Sequence, residues 1–312
     1  MSIGFVFPGQ GSQSVSMLSQ LAAEYSEVES TFREASRALG LDLLALVRDG
    51  PETELNQTAN TQPAMLAAGV AVWRVWRARQ GALPAYMAGH SLGEYTALVC
   101  ARALDFSEAA RLVADRGRFM QEAVPVGEGS MAAILGLGDH SVATLCEQAS
   151  GGEVLSAVNF NAPGQVVIAG TRSAVERAVS LAKSAGAKRA VVLPVSAPFH
   201  CALMHPAAER MGTRLREVEI RSPEIPVIHN VHVETETEPE AIRNVLVEQV
   251  DSPVRWVETI EKMAGLGVDT LIECGPGKVL SGLNKRIARE TQTLPISDPK
   301  TLEHALSVAG SS

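Results

Sequence analysis

Gly89-His90-Ser91-Leu92-Gly93 places a serine between two glycines at Gly-x-Ser-x-Gly spacing. This spacing is typical of a nucleophile elbow, in which a strand turns sharply into a helix and leaves the serine hydroxyl exposed. Such a hydroxyl can attack a carbonyl carbon when a base takes its proton and N–H donors hold the oxyanion. Because the pattern fixes only three positions, an ordinary loop fits it too, and the rest of the chain has to decide.

A serine nucleophile needs a general base, and seven histidines compete for that role. His200 follows the loop Ser196-Ala197-Pro198-Phe199, at the junction of two predicted structural units where a cleft is expected. His90 adjoins Ser91 but is expected to point away across the turn. Nothing in the surrounding sequence distinguishes His205, His229, His232 or His304. Position alone leaves His200 open to either a catalytic or a structural role.

The segments around the serine supply the elements that an elbow requires. Residues 85–88 are a short apolar run that predicts a buried strand, and residues 94–101 are rich in helix formers. Residues 3–7 predict another buried strand, which runs into Pro8-Gly9-Gln10-Gly11-Ser12-Gln13. That loop lacks the third glycine of a nucleotide-binding motif. Strands alternate with helices along most of the chain, so we predict a parallel α/β sheet. With the elbow, this core resembles that of the α/β-hydrolases.

Several other elements are predicted from local pattern. Pro63 is expected in the first turn of a helix that carries an apolar stripe. Residues 225–231 and 270–273 predict strands, and the loop Gly275-Pro276-Gly277-Lys278 is expected to enter the last helix. A helix ending near residue 123 carries three arginines, and its pattern does not say which of them could bind an anion: Arg111, Arg116 and Arg118.

The middle third of the sequence changes character. Four segments predict strands (130–135, 154–158, 165–169 and 189–193), and two predict helices (141–149 and 173–185). Their order is β-α-β-β-α-β, the ferredoxin-like pattern. We therefore predict a small ferredoxin-like subdomain at residues 125–196. It is inserted in a larger catalytic domain that is discontinuous, at residues 1–124 plus 197–312.

Composition narrows the class of protein. The net charge of −8 argues against a nucleic-acid partner, because a phosphate backbone would be repelled on average. The four cysteines are scattered, with no Cys-x-x-Cys pair, so neither a metal site nor a disulfide framework is indicated. The longest apolar run, residues 64–73, is too short to cross a membrane, and no secretory signal is visible. These features predict a cytoplasmic protein.

A set of separate motifs, in order along nearly the whole chain, resembles the malonyl-CoA:acyl carrier protein transacylase family. The motifs are Phe7-Pro8-Gly9-Gln10-Gly11-Ser12-Gln13, Gly89-His90-Ser91-Leu92-Gly93-Glu94, Asn161-Ala162-Pro163-Gly164-Gln165 with Val167-Ile168-Ala169-Gly170, Phe199-His200 and Glu273-Cys274-Gly275-Pro276-Gly277-Lys278. The resemblance implies a ping-pong transfer of a malonyl group from malonyl-CoA to the phosphopantetheine thiol of acyl carrier protein. It implies no bound cofactor, and we expect a monomer.

The resemblance also assigns the catalytic residues. Ser91 would carry the malonyl group, and His200 would take and return its proton. Backbone N–H groups of Gln10 and Leu92 would form the oxyanion hole, in agreement with elbow geometry. A backbone carbonyl near Gln249 would orient His200 in place of a triad carboxylate, although Asp251 is close in sequence.

Two further residues are assigned to substrate selection by the resemblance. Arg116 matches the arginine that pairs with the malonyl carboxylate, and its planar fork can hold a carboxylate by two hydrogen bonds. Phe199 resembles the bulky residue that disfavours branched acyl groups in related acyltransferase domains.

An acidic carrier protein would need a local basic surface on this acidic chain. Lys285, Arg286 and Arg289 are predicted to share one face of a C-terminal helix, although a merely solvated face fits equally well. Two other functions stay open: a serine esterase or thioesterase that sends the acyl group to water, and a non-catalytic docking protein for acyl carriers.

Overall fold

The computed structural model describes residues 2–310, which form nine strands and fourteen α-helices. The strands are β1 (Ile3–Phe7), β2 (Tyr86–Gly89), β3 (Gly129–Leu135), β4 (Leu155–Ala162), β5 (Gln165–Thr171), β6 (Arg189–Val192), β7 (Val227–Ile228), β8 (Thr270–Cys274) and β9 (Gln292–Ile296). They build two separate sheets, one of five strands and one of four.

The α-helices connect and cover these sheets. They are α1 (Ser19–Glu24), α2 (Ser26–Leu39), α3 (Leu43–Asp49), α4 (Glu52–Leu55), α5 (Thr58–Ala78), α6 (Leu92–Cys100), α7 (Phe106–Glu122), α8 (Asp139–Ser150), α9 (Arg172–Ala182), α10 (His205–Leu215), α11 (Pro239–Glu248), α12 (Trp256–Gly265), α13 (Val279–Ile287) and α14 (Pro299–Ala309). A single 3₁₀ turn, Ala202–Met204, precedes α10.

The five-stranded sheet is parallel throughout, with the order β7-β2-β1-β8-β9. All five residues of β1 are buried, as expected for a central strand that is covered on both faces. Helices α5 and α6 contact this sheet, α2 and α7 pack on α5, and together they form the main core. The predicted parallel α/β sheet is confirmed.

The four-stranded sheet is antiparallel, with the order β4-β5-β3-β6. Side chains alternate between its faces: Ile134 and Ile168 pack under α8 and α9, whereas Met131 and Val167 face the opposite side beside Phe199. The predicted β-α-β-β-α-β order is confirmed by β3, α8, β4, β5, α9 and β6. All six elements lie within residues 125–196, and the division of the chain into two domains at those bounds stays a prediction.

Three local predictions are wrong. Helix α5 begins at Thr58, so Pro63 lies inside the helix and not in its first turn. In the interior of this buried helix, packing outweighs the hydrogen bond that proline cannot donate. The strand predicted at residues 225–231 is reduced to Val227–Ile228.

The helix after Gly275 is not the last, because β9 and α14 follow it. Strand β9 was missed since Pro295 is unfavourable in a strand, yet β9 lies at the sheet edge, where proline is tolerated.

Between residues 2 and 310, no helix combines the length and apolar character needed to span a bilayer.

Candidate active site

Ser91 lies in a tight turn between β2 and α6, with a positive φ of 51° and ψ of −107°. Both glycines of the motif are required by close backbone contacts. A β-carbon at Gly89 would lie 1.8 Å from the carbonyl carbon of Gly93, and one at Gly93 would lie 2.1 Å from the carbonyl oxygen of Phe7. The order of strand, turn and helix predicted for an elbow is therefore present, and it is pressed against the end of β1.

Ser91 and His200 are in hydrogen-bond contact, with 2.7 Å between Ser91 Oγ and His200 Nε2. On the other side of the ring, His200 Nδ1 lies 2.9 Å from the carbonyl oxygen of Gln249. A carbonyl oxygen only accepts, so Nδ1 carries the hydrogen and Nε2 is free to accept the serine proton. Asp251 instead contacts His205, at 2.9 Å. The geometry is that of a dyad oriented by a backbone carbonyl.

The His200 ring is enclosed, and its pKa is lowered to about 3. The main cause is burial, which disfavours the charged imidazolium, and the second is the positive charge of Arg116. His200 is therefore neutral near pH 7, the form that can act as a base.

Arg116 projects from α7 and is only 1% exposed. Its Nη1 donates to Gln62 Oε1 at 2.9 Å, and its Nη2 donates to Gln249 Oε1 at 2.9 Å and to Ser91 Oγ at 3.1 Å. Each of these acceptors is a neutral group. Burial lowers the pKa of Arg116, because the charged form loses hydration. The cation thus lies beside the nucleophile without a carboxylate among its hydrogen-bond partners.

Arg111 and Arg118, the other arginines of α7, point outward. They pair with Glu108 and Asp115 at 2.7 and 2.8 Å, and about half of each arginine side chain is exposed. The structure therefore separates three arginines that the sequence pattern could not rank.

A cavity of about 130 Å³ opens in front of Ser91. It is lined by Gln10, Gln62, His90, Ser91, Leu92, Arg116, Met120, Met131, Asn159, Leu193, Val195, Phe199 and His200. Side chains from the small sheet and the loop after it form one wall. His90 Nε2 lies 2.8 Å from Asn161 Oδ1, so the elbow also contacts β4 directly. Phe199 is partly buried and packs against apolar clusters on both sides.

Gln10 and Leu92 bring two backbone segments to the cavity. Leu92 is the first residue of α6, where the N–H has no acceptor within the helix. The loop carrying Gln10 is tight against the elbow, since a β-carbon at Gly9 would lie 2.6 Å from the carbonyl oxygen of His90. Both residues lie beside Ser91, where donors for an oxyanion are needed.

Sequence reasoning missed several polar side chains around Ser91. Gln62 and the side chain of Gln249 hold Arg116, and Gln249 Nε2 also donates to the carbonyl oxygen of Ser91 at 3.1 Å. Asn230 accepts the N–H of Ser91 at 2.7 Å. These residues are far apart in the chain and belong to no motif, so no local signal could have found them.

The three predicted docking cations do not share one helix. Lys285 and Arg286 lie on α13, but this helix ends at Ile287 and Arg289 falls in the turn that follows. Arg286 donates to Gln165 Oε1 at 2.6 Å and to the carbonyl oxygen of Pro163 at 2.8 Å. It therefore ties α13 to the β4–β5 turn, while Lys285 and Arg289 are exposed.

A serine–histidine dyad on an elbow, set in a parallel α/β sheet with an antiparallel insertion, defines an enzyme that moves acyl groups through a serine nucleophile. Comparison with protein families agrees, since residues 4–298 match the acyl transferase domain. The malonyl CoA-acyl carrier protein transacylase of Salmonella typhimurium is 56% identical over 302 residues, 97% of this chain and 98% of that protein. The protein of the same name from Escherichia coli K12 is 57% identical, with the same coverage. The chain belongs to the malonyl CoA-acyl carrier protein transacylase family.

Solved structures give the same result. The crystal structure of an acyl carrier protein S-malonyltransferase from Vibrio cholerae has 56% identity and a TM-score of 0.95, covering 97% of this chain and 99% of that one. A malonyl-transacylase solved in complex with its type II PKS acyl-carrier protein has 53% identity and a TM-score of 0.98, covering 99% and 100%. The predicted fold class is confirmed.

Proposed function

We propose that this chain transfers the malonyl group from malonyl-CoA to the phosphopantetheine thiol of acyl carrier protein through a malonyl-Ser91 intermediate. The observation that carries the proposal is the buried Arg116 cation, 3.1 Å from the same Ser91 Oγ that lies 2.7 Å from His200. A base and a carboxylate-binding group thus converge on one hydroxyl.

The first half-reaction acylates Ser91. His200 Nε2 takes the hydroxyl proton while Ser91 Oγ attacks the thioester carbonyl carbon. The backbone N–H groups of Gln10 and Leu92 hold the resulting oxyanion. Collapse of this intermediate breaks the carbon–sulfur bond, and the leaving coenzyme A sulfur receives the proton from His200.

The second half-reaction runs the same steps in reverse with a new thiol. The carrier thiol gives its proton to His200 Nε2 and attacks the ester carbonyl carbon. The carbon–oxygen bond to Ser91 then breaks, and His200 returns the proton to Ser91 Oγ. Neither half-reaction requires a bound cofactor.

The carbonyl of Gln249 suits this chemistry. A neutral acceptor fixes the tautomer of His200, as an aspartate would, but it stabilises the imidazolium less. A thiolate is a good leaving group, so a strongly stabilised imidazolium is not needed to expel it.

Arg116 would select the acyl group. A malonyl carboxylate entering the cavity loses hydration, and a fixed cation replaces those lost interactions. An acetyl group offers no such partner. Phe199 forms part of the same cavity wall and would limit substituents on the carbon next to the thioester.

Lys285 and Arg289 would attract the acidic carrier protein, with Arg286 holding α13 in place through its contacts to Pro163 and Gln165. Ser91, His200 and Arg116 converge within a single chain without help from a second copy, so we propose that the protein acts as a monomer, in the cytoplasm.

Labelled malonyl-CoA tests this function and separates it from its rivals. We expect label on the peptide containing Ser91, followed by its movement to added carrier protein. Release of the label mainly to water would identify a thioesterase. An absence of covalent label would favour a docking protein. The Ser91→Ala variant, which removes the nucleophile but no core volume, should take up no label while staying folded.

A further inference from the structure

A buried acid–base pair lies behind the elbow, outside the steps described above. Glu94 is fully buried on the first turn of α6, and His229 is 1% exposed in the segment after β7. Glu94 Oε1 lies 2.8 Å from His229 Nδ1, and Glu94 Oε2 accepts the N–H of Asn230 at 2.8 Å. One carboxylate thus fixes two consecutive residues.

Asn230 carries this contact to the nucleophile. Its Oδ1 accepts the N–H of Ser91 at 2.7 Å, and its Nδ2 donates to the carbonyl oxygen of Gly89 at 2.7 Å. A single amide therefore bridges the residues at both sides of the turn. Because Asn230 is fully buried, water does not compete for these hydrogen bonds.

The turn needs such support. A non-glycine residue with the backbone angles of Ser91, φ 51° and ψ −107°, is strained, and such conformations persist only when the surrounding structure holds them. His229 uses only one side of its ring, because the buried Nε2 has no hydrogen-bond partner. The only side-chain hydrogen bond of the His229 ring in the described structure is therefore the one to Glu94. This contact gives the buried Glu94 carboxylate a partner in the core.

We propose that Glu94 and His229 are a pair of positioning residues that act through Asn230 to keep Ser91 Oγ within reach of His200 Nε2. This inference rests on the proposed role of Ser91 as the nucleophile. Displacement of a nucleophile by about 1 Å can slow a reaction by about 100-fold. Among the described residues, no side-chain hydrogen bond joins Glu94 or His229 to Arg116 or to the residues that line the cavity, so KM should change little.

The test uses two replacements of His229 in the full chain. His229→Leu keeps an apolar volume but donates no hydrogen bond, whereas the amide nitrogen of His229→Asn can take the place of Nδ1 and donate to Glu94. We expect His229→Leu to lower kcat by about 10- to 100-fold with KM within about twofold, and His229→Asn to recover most of the loss. The burst of coenzyme A released from malonyl-CoA counts competent sites, so kcat refers to folded enzyme.

Glu273→Gln is the matched control, because Glu273 is another buried carboxylate, which accepts the N–H groups of Leu280 and Ser281 at the start of α13. This variant should lower Tm and leave kcat per competent site unchanged. If His229 had only a structural role, His229→Leu would behave in the same way, with a lower Tm and an unchanged kcat.

A kcat within twofold of the wild type for His229→Leu would overturn the proposal, as would equal losses for His229→Leu and His229→Asn. If His229→Leu fails to fold, Asn230→Asp decides: it places an oxygen against the carbonyl of Gly89, and an unchanged kcat would overturn the proposal. Acyl-enzyme formation by Ser91→Ala would instead refute the proposed function itself, whatever the His229 variants do.

Discussion

Arg116 is a buried cation beside the nucleophile, and its hydrogen-bond acceptors are the neutral oxygens of Gln62, Gln249 and Ser91. A malonyl carboxylate would give this cation a charged hydrogen-bond partner. We expect Arg116→Ala to weaken malonyl transfer by about 2 to 5 kcal/mol, the usual scale for removing one partner of a buried charge pair. Acetyl transfer should suffer much less. Values of kcat/KM for the two thioesters measure the difference.

Arg116→Lys serves as the companion variant. It retains the charge, but a single ammonium cannot reproduce the fork that reaches both glutamines, so it should restore only part of the malonyl rate. Equal losses for malonyl and acetyl in Arg116→Ala would assign Arg116 to structure or to coenzyme A binding.

The pH dependence of acylation follows from His200, whose pKa of about 3 lies below the ordinary value of 6.5. The base is unprotonated in the free protein at neutral pH. The acid limb of kcat/KM for malonyl-CoA should therefore fall well below pH 6.5. Since Arg116 is the second cause of the shift, Arg116→Ala should move the limb to higher pH. An acid limb near pH 6.5 in the wild type would contradict this.

The same group affects stability, and the sign is fixed by which state binds the proton. The unfolded chain protonates His200 near pH 6.5, whereas the folded chain resists protonation down to about pH 3. Stability from this residue is full above pH 6.5 and is lost as the pH falls toward 3. Urea unfolding at pH 7 and pH 4.5 should show a smaller loss for His200→Gln than for the wild type.

At the scale of elements, the elbow depends on contact between α6 and the end of β1. A β-carbon at residue 93 would meet the carbonyl oxygen of Phe7 at 2.1 Å, so either β1 or α6 must move in Gly93→Ala. We expect the free energy of unfolding to fall by about 1 to 3 kcal/mol or more, as it does when a core is overpacked. Acylation per folded molecule should fall as well.

Gly282→Ala is the control for the elbow glycine. Gly282 lies exposed inside α13, and a β-carbon there meets no atom within 4 Å. Alanine in a helix interior is favoured over glycine by about 0.5 to 1 kcal/mol, so this variant should be slightly more stable, with unchanged acylation. Equal effects of the two substitutions would remove the argument from close packing.

The features that could be predicted from the sequence are those set by residues close together in the chain. The strand, turn and helix around Ser91, and the β-α-β-β-α-β order of the insertion, are set by short-range pattern and were found. The contacts of Gln62 and Asn230 with Arg116 and Ser91 depend on how distant segments pack, which no spacing encodes. Strand β9 was missed for a related reason, because its proline is acceptable only at a sheet edge.

For the molecule as a whole, a net charge of −8 would repel an acidic carrier protein unless a basic surface attracts it. Lys285 and Arg289 are exposed near the end of α13. We expect the double variant Lys285→Glu with Arg289→Glu to raise KM for the carrier protein several-fold at low salt. The effect should fade at high salt because surface charges are screened. Acylation by malonyl-CoA should not change.

Lys300→Glu, an exposed change on α14, controls for net charge when it is compared with Lys285→Glu and Arg289→Glu taken singly, since each of these variants reverses one charge. Arg286 is left intact in every variant, since its contacts with Pro163 and Gln165 make its loss structural. A carrier KM that is equal in Lys300→Glu and in both single variants would place the docking surface elsewhere.

The strand order of the large sheet also bears on how the chain folds during synthesis. Strand β1 is made early, yet one of its two edges stays open until β8 is available, since Ile3 pairs with Thr270. The parallel pairing of β1 with β8 joins distant parts of the chain, so it forms slowly and leaves apolar strand edges exposed in the meantime. The small sheet, in contrast, pairs only strands between Gly129 and Val192. On the ribosome, an internal segment should therefore become protease-resistant before the first strand does, and the nascent chain should need a chaperone to shield residues 3–7 in the meantime.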